Sequence, residues 1–385
     1  MPEVTNFTPY PNFRYYSNDS YNRQFGVIVV KATFELASSG RLVVAEEQAP
    51  LVFTDLCHGP VNVTSLWHPS DMVPYKPATD VIVNAVARAP GGRPKSSWEC
   101  SVKVEDEKNV RLEKSIRVTG PREWKPRWRR KLDEKDQWEW QRHIKAFERW
   151  ELTEAAPISE LPLHYEYAYG GEVPQGTDPD GNSIYDTDQR NPLGRGKIDR
   201  QWTDHCLPVA APQIEAVANP VSDPYAPIAP EGFGPIPPAW LPRRLLGGTY
   251  DQNWKDKIWP SWPPDYDFSY HNSAHPELIL EPHLKGTERL TLRGLAKWSE
   301  VVAFDLPSER LFNVFLTHDG EPINGEMKLD TVFLDIAPEA QDDWRVYLSW
   351  RVNFELGAFA QVRLYRNTPE IAAAFQEDQK DRSQA

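Results

Sequence analysis

The chain is 385 residues long, 40% of them apolar, and carries a net charge of −13. This excess of negative charge disfavours nucleic acids as partners because it repels phosphate backbones, and no apolar run approaches the roughly 20 residues that span a bilayer. The first residues lack a basic stretch followed by an apolar one, and the three cysteines are scattered. These features predict a cytoplasmic protein without a disulfide framework.

Alternation of apolar and polar side chains predicts antiparallel strands in the first third of the chain. The apolar stretches 25–36 and 80–89 each indicate one strand. The inward positions of the next two strands are predicted to be Trp98, Cys100, Val102 and Val104, and then Val110, Leu112, Ile116 and Val118. Lys114 interrupts the second apolar set.

A basic and aromatic run follows at residues 122–131. It contains Trp124, Trp128 and Arg129, and such interleaving can grip single-stranded nucleic acid. Acidic residues come directly after it, so local ion pairing or a solvated face explains the run better.

Helix is predicted at two places. The first is 133–150, with Asp133 as N-cap, and we interpret residues 122–156 as a helical insertion. The second is the C-terminal stretch 367–385, where Thr368 is the N-cap and Pro369 the first helical residue. We expect this tail to be short, helical and partly disordered.

Residues 157–285 contain proline and glycine throughout, with aromatic residues between them. The stretch 231–267 alone has four tryptophans and seven prolines. Neither a helix nor a central strand tolerates prolines at this density, and a flexible linker has few aromatics. We therefore predict an ordered, irregular layer over the sheets. Most of its four tryptophans, Trp240, Trp254, Trp259 and Trp262, are expected to be packed rather than exposed.

The C-terminal part returns to strands. Four short strands are predicted at 289–295, 300–306, 310–317 and 329–336, followed by an unbroken alternation from Trp344 to Leu356. The predicted fold is mainly β: antiparallel sandwich or meander sheets, a long Pro/Trp-rich irregular layer and a few short helices. We predict one domain over 1–366, with two β subdomains (about 1–160 and 157–366) as the alternative.

Three histidines are weak metal-ligand candidates. His271 and His275 have the i, i+4 spacing that binds zinc from a helix, and His283 follows them. However, Pro276 argues against a helix, and a metalloprotease pattern needs glutamate where the chain has Asn272. Surface or packing histidines are the favoured interpretation.

The stretch Asp178–Asp186 partly resembles a calcium-binding loop. Its oxygen-bearing side chains match several loop positions, but Gly181 is two positions early and Gln189 stands where a bidentate carboxylate is needed. An Asp-Gly turn between two short strands is the favoured interpretation.

Other patterns give no active site. The stretch 191–196 places Arg195 between two glycines, which could bind an anion, but the context of a nucleotide-binding loop is missing. Abundant carboxylates and tryptophans allow a carbohydrate-active protein, although the sequence cannot place an acid pair. We predict no catalytic residue, no metal and no cofactor.

Several stretches resemble, in order, landmarks of one bacterial family. They are APGGRPKSSWEC (89–100), YEYAYGGE (165–172), NPLGRG (191–196), GFGPIPPAWLPR (232–243), GGTYDQNWKDKIWPSWPPDYD (247–267) and HNSAHPEL (271–278). This family, catalogued as a domain of unknown function, is associated with type VI secretion as an effector adaptor. The resemblance covers roughly residues 10–355, and the insertion at 122–156 departs from the family pattern.

The resemblance implies a cytoplasmic, chaperone-like adaptor that is not an enzyme. Its partners would be a toxin effector and the valine-glycine-repeat spike protein, with no nucleic acid and no membrane. Aromatic and arginine side chains are the usual anchors of protein interfaces. The candidate partner-binding residues are Trp124, Trp128, Arg129, Trp138, Trp140, Trp254, Trp259 and Trp262. A carbohydrate-binding protein that uses exposed tryptophans and carboxylates is the alternative, and a calcium-stabilised structural protein is a third interpretation.

Overall fold

The computed structural model describes residues 2–133, 135, 142, 145–198 and 208–366. In these residues the fold is mainly β, with several mostly antiparallel sheets, and this confirms the predicted class. No helix in the described part of the chain is both long and apolar enough to span a membrane. The predicted C-terminal tail, 367–385, lies outside the described residues.

The described strands are numbered in chain order. They are β1 (Glu3–Asn6), β2 (Asn12–Asn18), β3 (Gln24–Leu36), β4 (Leu42–Val44), β5 (Leu56–Cys57), β6 (Leu66–His68), β7 (Thr79–Asn84), β8 (Val86–Arg88), β9 (Ser97–Glu105), β10 (Val110–Thr119), β11 (Glu123–Trp128), β12 (Phe147–Leu152), β13 (Glu160–Pro162), β14 (Tyr169–Gly170), β15 (Glu172–Thr177), β16 (Ser183–Thr187), β17 (Arg195–Gly196), β18 (Val209–Ala210), β19 (Ile214–Ala216), β20 (Ile279–Leu280), β21 (Arg289–Arg293), β22 (Val301–Asp305), β23 (Leu311–Thr317), β24 (Pro322–Glu326), β25 (Lys328–Asp335), β26 (Arg345–Glu355) and β27 (Phe359–Arg366).

Helical segments in the described residues are short. The α-helices whose full bounds lie in the described residues are α1 (Arg243–Leu246) and α2 (Gln252–Lys257), and residues 135, 142, 145 and 146 are also α-helical. Single 3-10 turns are Pro90–Gly92, Tyr165–Tyr167, Phe268–His271, Pro276–Leu278 and Gln341–Asp343.

Three larger sheets form the scaffold. The seven-stranded sheet has the order β2-β3-β26-β25-β7-β20, with β4 also paired to β3. A five-stranded sheet has the order β19-β10-β9-β21-β22, and a four-stranded sheet has the order β1-β27-β23-β24. The first two sheets combine strands from both sides of residue 157, so a division of the chain there would cut both of them.

The predicted alternation is confirmed where it was regular. Trp98, Cys100, Val102 and Val104 are all buried on β9. On β10, Leu112, Ile116 and Val118 are buried, but Val110 is 54% exposed beside a register shift, so its predicted inward position is wrong. The inward row also includes Lys114, which is only 3% exposed, so the apparent interruption is a buried charge.

The seven-stranded sheet is covered on both faces. Along β26, Trp350 and Leu348 point into the main core, while Ser349 and Arg351 on the opposite face are also buried. The second face carries polar and charged side chains. The alternation in the sequence places them on the face opposite the core but does not predict that they are buried.

The predicted helix at 133–150 is wrong over its last residues. Residues 147–152 form β12, which pairs with β11 in an antiparallel hairpin. A strand forms here instead of a helix because Trp124 of β11 and Trp150 of β12 both pack in a second hydrophobic cluster, with Val221 and Ile228. The helical description of the insertion therefore fails for both of its flanks.

Candidate interaction surface

The Pro/Trp-rich segment is anchored by buried side chains at its start. Trp240 is 7% exposed and meets the ring of Tyr165 edge-on at 5.7 Å. The buried guanidinium of Arg243 donates hydrogen bonds to the carbonyl oxygens of Ile236 (2.6 Å) and Tyr270 (2.7 Å). These bonds satisfy backbone acceptors that an irregular segment would otherwise leave unpaired.

The far end of the segment is tied to the seven-stranded sheet by one carboxylate. Asp80 of β7 is fully buried and accepts hydrogen bonds from the side-chain amide of Asn272 (2.9 Å) and the backbone N–H of Ser273 (2.9 Å). Its charge is balanced by the ammonium group of Lys76 at 2.7 Å. Asp80 thus joins the irregular layer to the sheet.

Between these two anchors, four rings form what we call the aromatic surface: Tyr250, Trp254, Trp259 and Trp262. Asp251 caps α2 by accepting from the N–H of Trp254 at 2.7 Å, and the indole of Trp254 donates to the carbonyl of Ser261 at 2.9 Å. Tyr250 packs edge-on against Trp254 at 4.7 Å. Trp259 is 67% exposed. The surface is therefore held by hydrogen bonds although it contains little regular structure.

Trp262 connects the aromatic surface to the N-terminal strands. Its ring is half-buried against Tyr266 at 4.3 Å, and the backbone N–H of Trp262 donates to the carbonyl of Ser20 at 3.3 Å. Ser20 precedes Tyr21, which is 75% exposed. Of the four predicted tryptophans, Trp240 is thus buried, Trp254 and Trp262 are half-buried, and Trp259 is exposed.

The structure separates the other candidate partner-binding residues. Trp124 is 2% exposed in the second cluster, so its predicted role as a partner contact is corrected to that of a core residue. Trp128 is half-buried and meets Phe147 edge-on at 6.1 Å, and Arg129 is exposed. Trp138 and Trp140 lie outside the described residues. Sequence reasoning missed Tyr250, which directly precedes the N-cap Asp251; its place among the aromatic residues of the Pro/Trp-rich segment could have revealed it.

The three candidate histidines have different hydrogen-bond partners. His271 Nε2 lies 2.6 Å from the hydroxyl of Tyr266, and His283 Nε2 lies 3.0 Å from the carbonyl oxygen of Lys76. Burial lowers the pKa of His271 to about 3. These two histidines are packing residues, as the sequence favoured.

His275 instead lies near two glutamates. Glu231, His275 and Glu277 offer ligand atoms within 4.8 Å of one another. The ammonium group of Lys114 hydrogen-bonds to both carboxylates, and the N–H of Glu277 donates to His275 Nδ1 at 3.3 Å. The cluster thus already contains a cation, and it ties β10 to two loops.

A layer of buried charges lies on the second face of the seven-stranded sheet. Lys31 pairs with Asp71 at 3.1 Å, and Arg351 pairs with Asp330 at 2.7 Å. The ring of His68 lies 2.9 Å from the Lys31 ammonium. Burial, together with the Lys31 charge, lowers the pKa of His68 to about 4. Each charge has a partner, as buried charges require.

The glycine-flanked Arg195 supports the fold. Its guanidinium donates to the carbonyl of Glu166 at 2.7 Å and lies over the ring of Tyr167 at 4.5 Å. The strands β14 and β17 bring the landmarks 165–172 and 191–196 side by side. Gly170 has φ +146°, and an added Cβ would meet the carbonyl oxygen of Asn191 at 2.1 Å. These landmark residues therefore have structural roles.

The favoured turn in the calcium-like stretch is confirmed. Asp178 accepts hydrogen bonds from the backbone N–H groups of Asp180 (2.9 Å) and Asn182 (2.8 Å) at the tip of the β15–β16 hairpin. Hydrogen bonds from the side chain and backbone of Asn182 lower the pKa of Asp178. Gly181 takes φ +86°, which suits an Asp-Gly turn.

We expect calcium to leave the stability of the protein unchanged. The carboxylate of Asp178 is engaged by its own turn, so a calcium ion would have to displace those hydrogen bonds. Thermal unfolding with added calcium and with chelator should give the same melting temperature. A rise with calcium that disappears in Asp178→Asn would contradict this expectation.

Comparison with known proteins identifies the family of this chain. Residues 22–351 match the family model described as an uncharacterized protein conserved in bacteria (DUF2169). The chain belongs to this family. No curated protein and no solved structure matches it. The matched range includes the β11–β12 hairpin, the aromatic surface and both of its anchors.

Proposed function

We propose that this member of the family is a non-enzymatic adaptor of the type VI secretion system, working in the bacterial cytoplasm. It binds a toxin effector and loads it onto the valine-glycine-repeat spike protein. Membership of the family and the ordered landmarks support this proposal. The observation that carries it is the aromatic surface, where a 67% exposed tryptophan lies on a segment held by buried anchors.

An adaptor needs a surface that is ordered before its partner arrives. A rigid aromatic side chain contributes contact area at a low entropic cost. Trp and Tyr are also enriched among the residues that dominate binding energy. Trp254 is held by the Asp251 cap and by Ser261, and the backbone N–H of Trp259 donates to the carbonyl oxygen of Trp254 at 2.9 Å, so the backbone that carries Trp259 is ordered before a partner arrives.

We expect Trp259→Asp to weaken effector binding strongly. Loss of a central aromatic contact typically costs at least 2 kcal/mol, or about 30-fold in affinity. The measurement is affinity purification of the tagged chain from bacteria that express the secretion apparatus, with quantitative mass spectrometry of the recovered effector and spike. The unchanged chain should recover both partners.

The control is Val61→Asp, since Val61 is 69% exposed on a different loop. It introduces the same charge and should recover as much effector as the unchanged chain. Thermal unfolding of both variants shows whether the fold is kept. Normal recovery with Trp259→Asp would remove the aromatic surface from the proposal, and absence of both partners from the unchanged chain would overturn the adaptor function.

The carbohydrate-binding alternative depends on the same exposed indole, since an exposed aromatic face can also stack on a sugar. It stays a prediction, and a panel of polysaccharides tests it through tryptophan fluorescence. A response that Trp259→Asp removes would support it. No response across the panel would leave the alternative without support.

A further inference from the structure

A second possible binding site lies where the chain passes from the four-stranded to the seven-stranded sheet. The cleft has a volume of about 520 Å³, in the range of ligand sites. It is lined by residues 282–285 and Thr287 and by Arg310 and residues 326–329, and an antiparallel bridge pairs Leu284 with Leu329. The cleft shares no lining residue with the aromatic surface.

The floor of the cleft is apolar. Leu284, Met327 and Leu329 line it, and each is at most 3% exposed. Met327 lies between β24 and β25, where its N–H donates to the carbonyl of Leu311 at 2.9 Å. Methionine adapts its shape to a contacting group, so the floor can accept an apolar side chain.

The rim is positive, in a chain whose net charge is −13. Lys285, Arg310 and Lys328 line the cleft, and among the described residues Glu326 is the one acidic residue that lines it. Glu326 is already paired with Arg310 at 2.6 Å. In the described part of the chain, the exposed ammonium groups of Lys285 and Lys328 have no ion-pair partner. Two positive charges are thus left for an incoming anion.

The lining of the cleft favours an extended peptide as the ligand. It includes Glu326, the last residue of β24, which is an outer strand of the four-stranded sheet. An outer strand offers unpaired backbone groups to another extended chain. In an extended segment of alternating acidic and apolar residues, the two kinds of side chain lie on opposite faces. Such a segment matches an apolar floor and a positive rim.

We propose that this cleft binds an acidic, extended segment of a partner protein through Lys285 and Lys328, with an apolar side chain on the floor. This inference goes beyond the adaptor function and does not depend on it, since it requires neither an effector nor a spike. Charged rim groups mainly set the rate of association and the choice of partner. Binding should therefore weaken as the salt concentration rises.

The test uses the full chain and a fluorescein-labelled peptide of alternating glutamate and leucine, followed by anisotropy. The double variant Lys285→Glu/Lys328→Glu should weaken binding about ten-fold or more, because two attractions become repulsions. The matched control is Lys108→Glu, an exposed lysine on the turn between β9 and β10; it should change affinity less than about two-fold. A peptide of alternating lysine and leucine should not bind.

Equal affinity in the double variant and the unchanged chain would overturn the proposal, as would no binding of the acidic peptide up to about 1 mM. A second measurement replaces Thr287, which lines the cleft, with photo-reactive benzoylphenylalanine in the full chain. Crosslinking to the acidic peptide supports the proposal. Crosslinking to residues 367–385 of the chain itself would assign the cleft to its own C-terminal segment, and so would overturn the partner assignment.

Discussion

Replacing Asp80 with asparagine is expected to lower the free energy of unfolding by about 3–5 kcal/mol, because it leaves a buried charge without its partner. Asp80 is fully buried and is the carboxylate that pairs with Lys76. Asparagine keeps the volume of the side chain, removes its charge and replaces one acceptor oxygen with a donating NH2 group, so the effect combines the lost ion pair with lost hydrogen bonds from Asn272 or Ser273. Chemical denaturation followed by tryptophan fluorescence gives the measurement.

Two further variants show whether the ion pair is the cause. Asp305→Asn breaks the exposed pair with Arg289, in which the aspartate side chain is 66% exposed; it should cost less than about 1 kcal/mol. Lys76→Met in the Asp80→Asn background should restore part of the stability, because no unpaired charge then remains. A cost at Asp80 as small as at Asp305 would contradict the role given to this carboxylate.

The expected effect on function follows from the anchoring of the irregular layer. Asp80 holds Asn272 and Ser273, which follow the aromatic surface in the chain. Loss of these bonds should free one end of the layer before the sheets unfold, since local units can open below the global unfolding energy. Hydrogen exchange in Asp80→Asn should therefore rise first in the residues from 262 to 273.

The second large effect expected is a loss of stability in mild acid. Burial lowers the pKa of His68 to about 4, that of His271 to about 3 and that of His275 to about 4. In the unfolded chain these rings bind protons below the ordinary histidine pKa of 6.5. In the folded chain they bind protons only at the lower pH values given above. Acid therefore favours unfolding, and stability falls as the pH drops from 6.5 towards 4.

The magnitude follows from the linkage between proton binding and folding. Each of these histidines should cost about 1–2 kcal/mol between about pH 6.5 and 5. At His68 burial is the main cause of the lowered pKa, and the Lys31 ammonium, 2.9 Å from Nε2, adds to it. The other ring nitrogen, Nδ1, lies 2.6 Å from the carbonyl oxygen of Pro69. Protonation of Nε2 would direct its N–H at the positively charged Lys31 ammonium.

Urea denaturation at several pH values between about 5 and 7 measures this slope. His68→Gln should flatten the slope, whatever its effect on stability at neutral pH, because it removes one of the titrating rings. Val61→Gln, at an exposed position without a titrating group, should leave the slope unchanged. A free energy of unfolding that is constant or rising as the pH falls from 6.5 to about 5 would show that the rings are not held neutral.

The strands with regular alternation could be predicted because their pattern is a local consequence of a half-buried sheet. In β9, each apolar residue of the period-two pattern is buried. The same reasoning assigned Arg351 to an outward face, although it is buried beside Asp330. The residues that cover the second face of a sheet are distant in the chain. The pattern of one strand therefore does not reveal whether that face is buried.

Local helix propensity did not predict the β11–β12 hairpin. The stretch after Asp133 has helix-forming residues, and nothing in its spacing reveals that Trp150 will pack with residues near 221–228. A long-range hydrophobic cluster outweighed a helical preference of a few tenths of a kcal/mol per residue. The same cluster buries Trp124, which the sequence offered as a partner contact.

The sequence by itself determined the mainly β class, the positions of the long strands and the ordered character of the Pro/Trp-rich segment. These depend on side-chain alternation and on the restrictions that proline imposes, which are properties of neighbouring residues. The tertiary structure decided which tryptophan is exposed, which charges are buried and where positive rim charges meet an apolar floor. Burial and pairing are set by segments far apart in the chain: Trp240 is covered by Tyr165, Asp80 holds Asn272, and Lys285 and Lys328 line the same cleft.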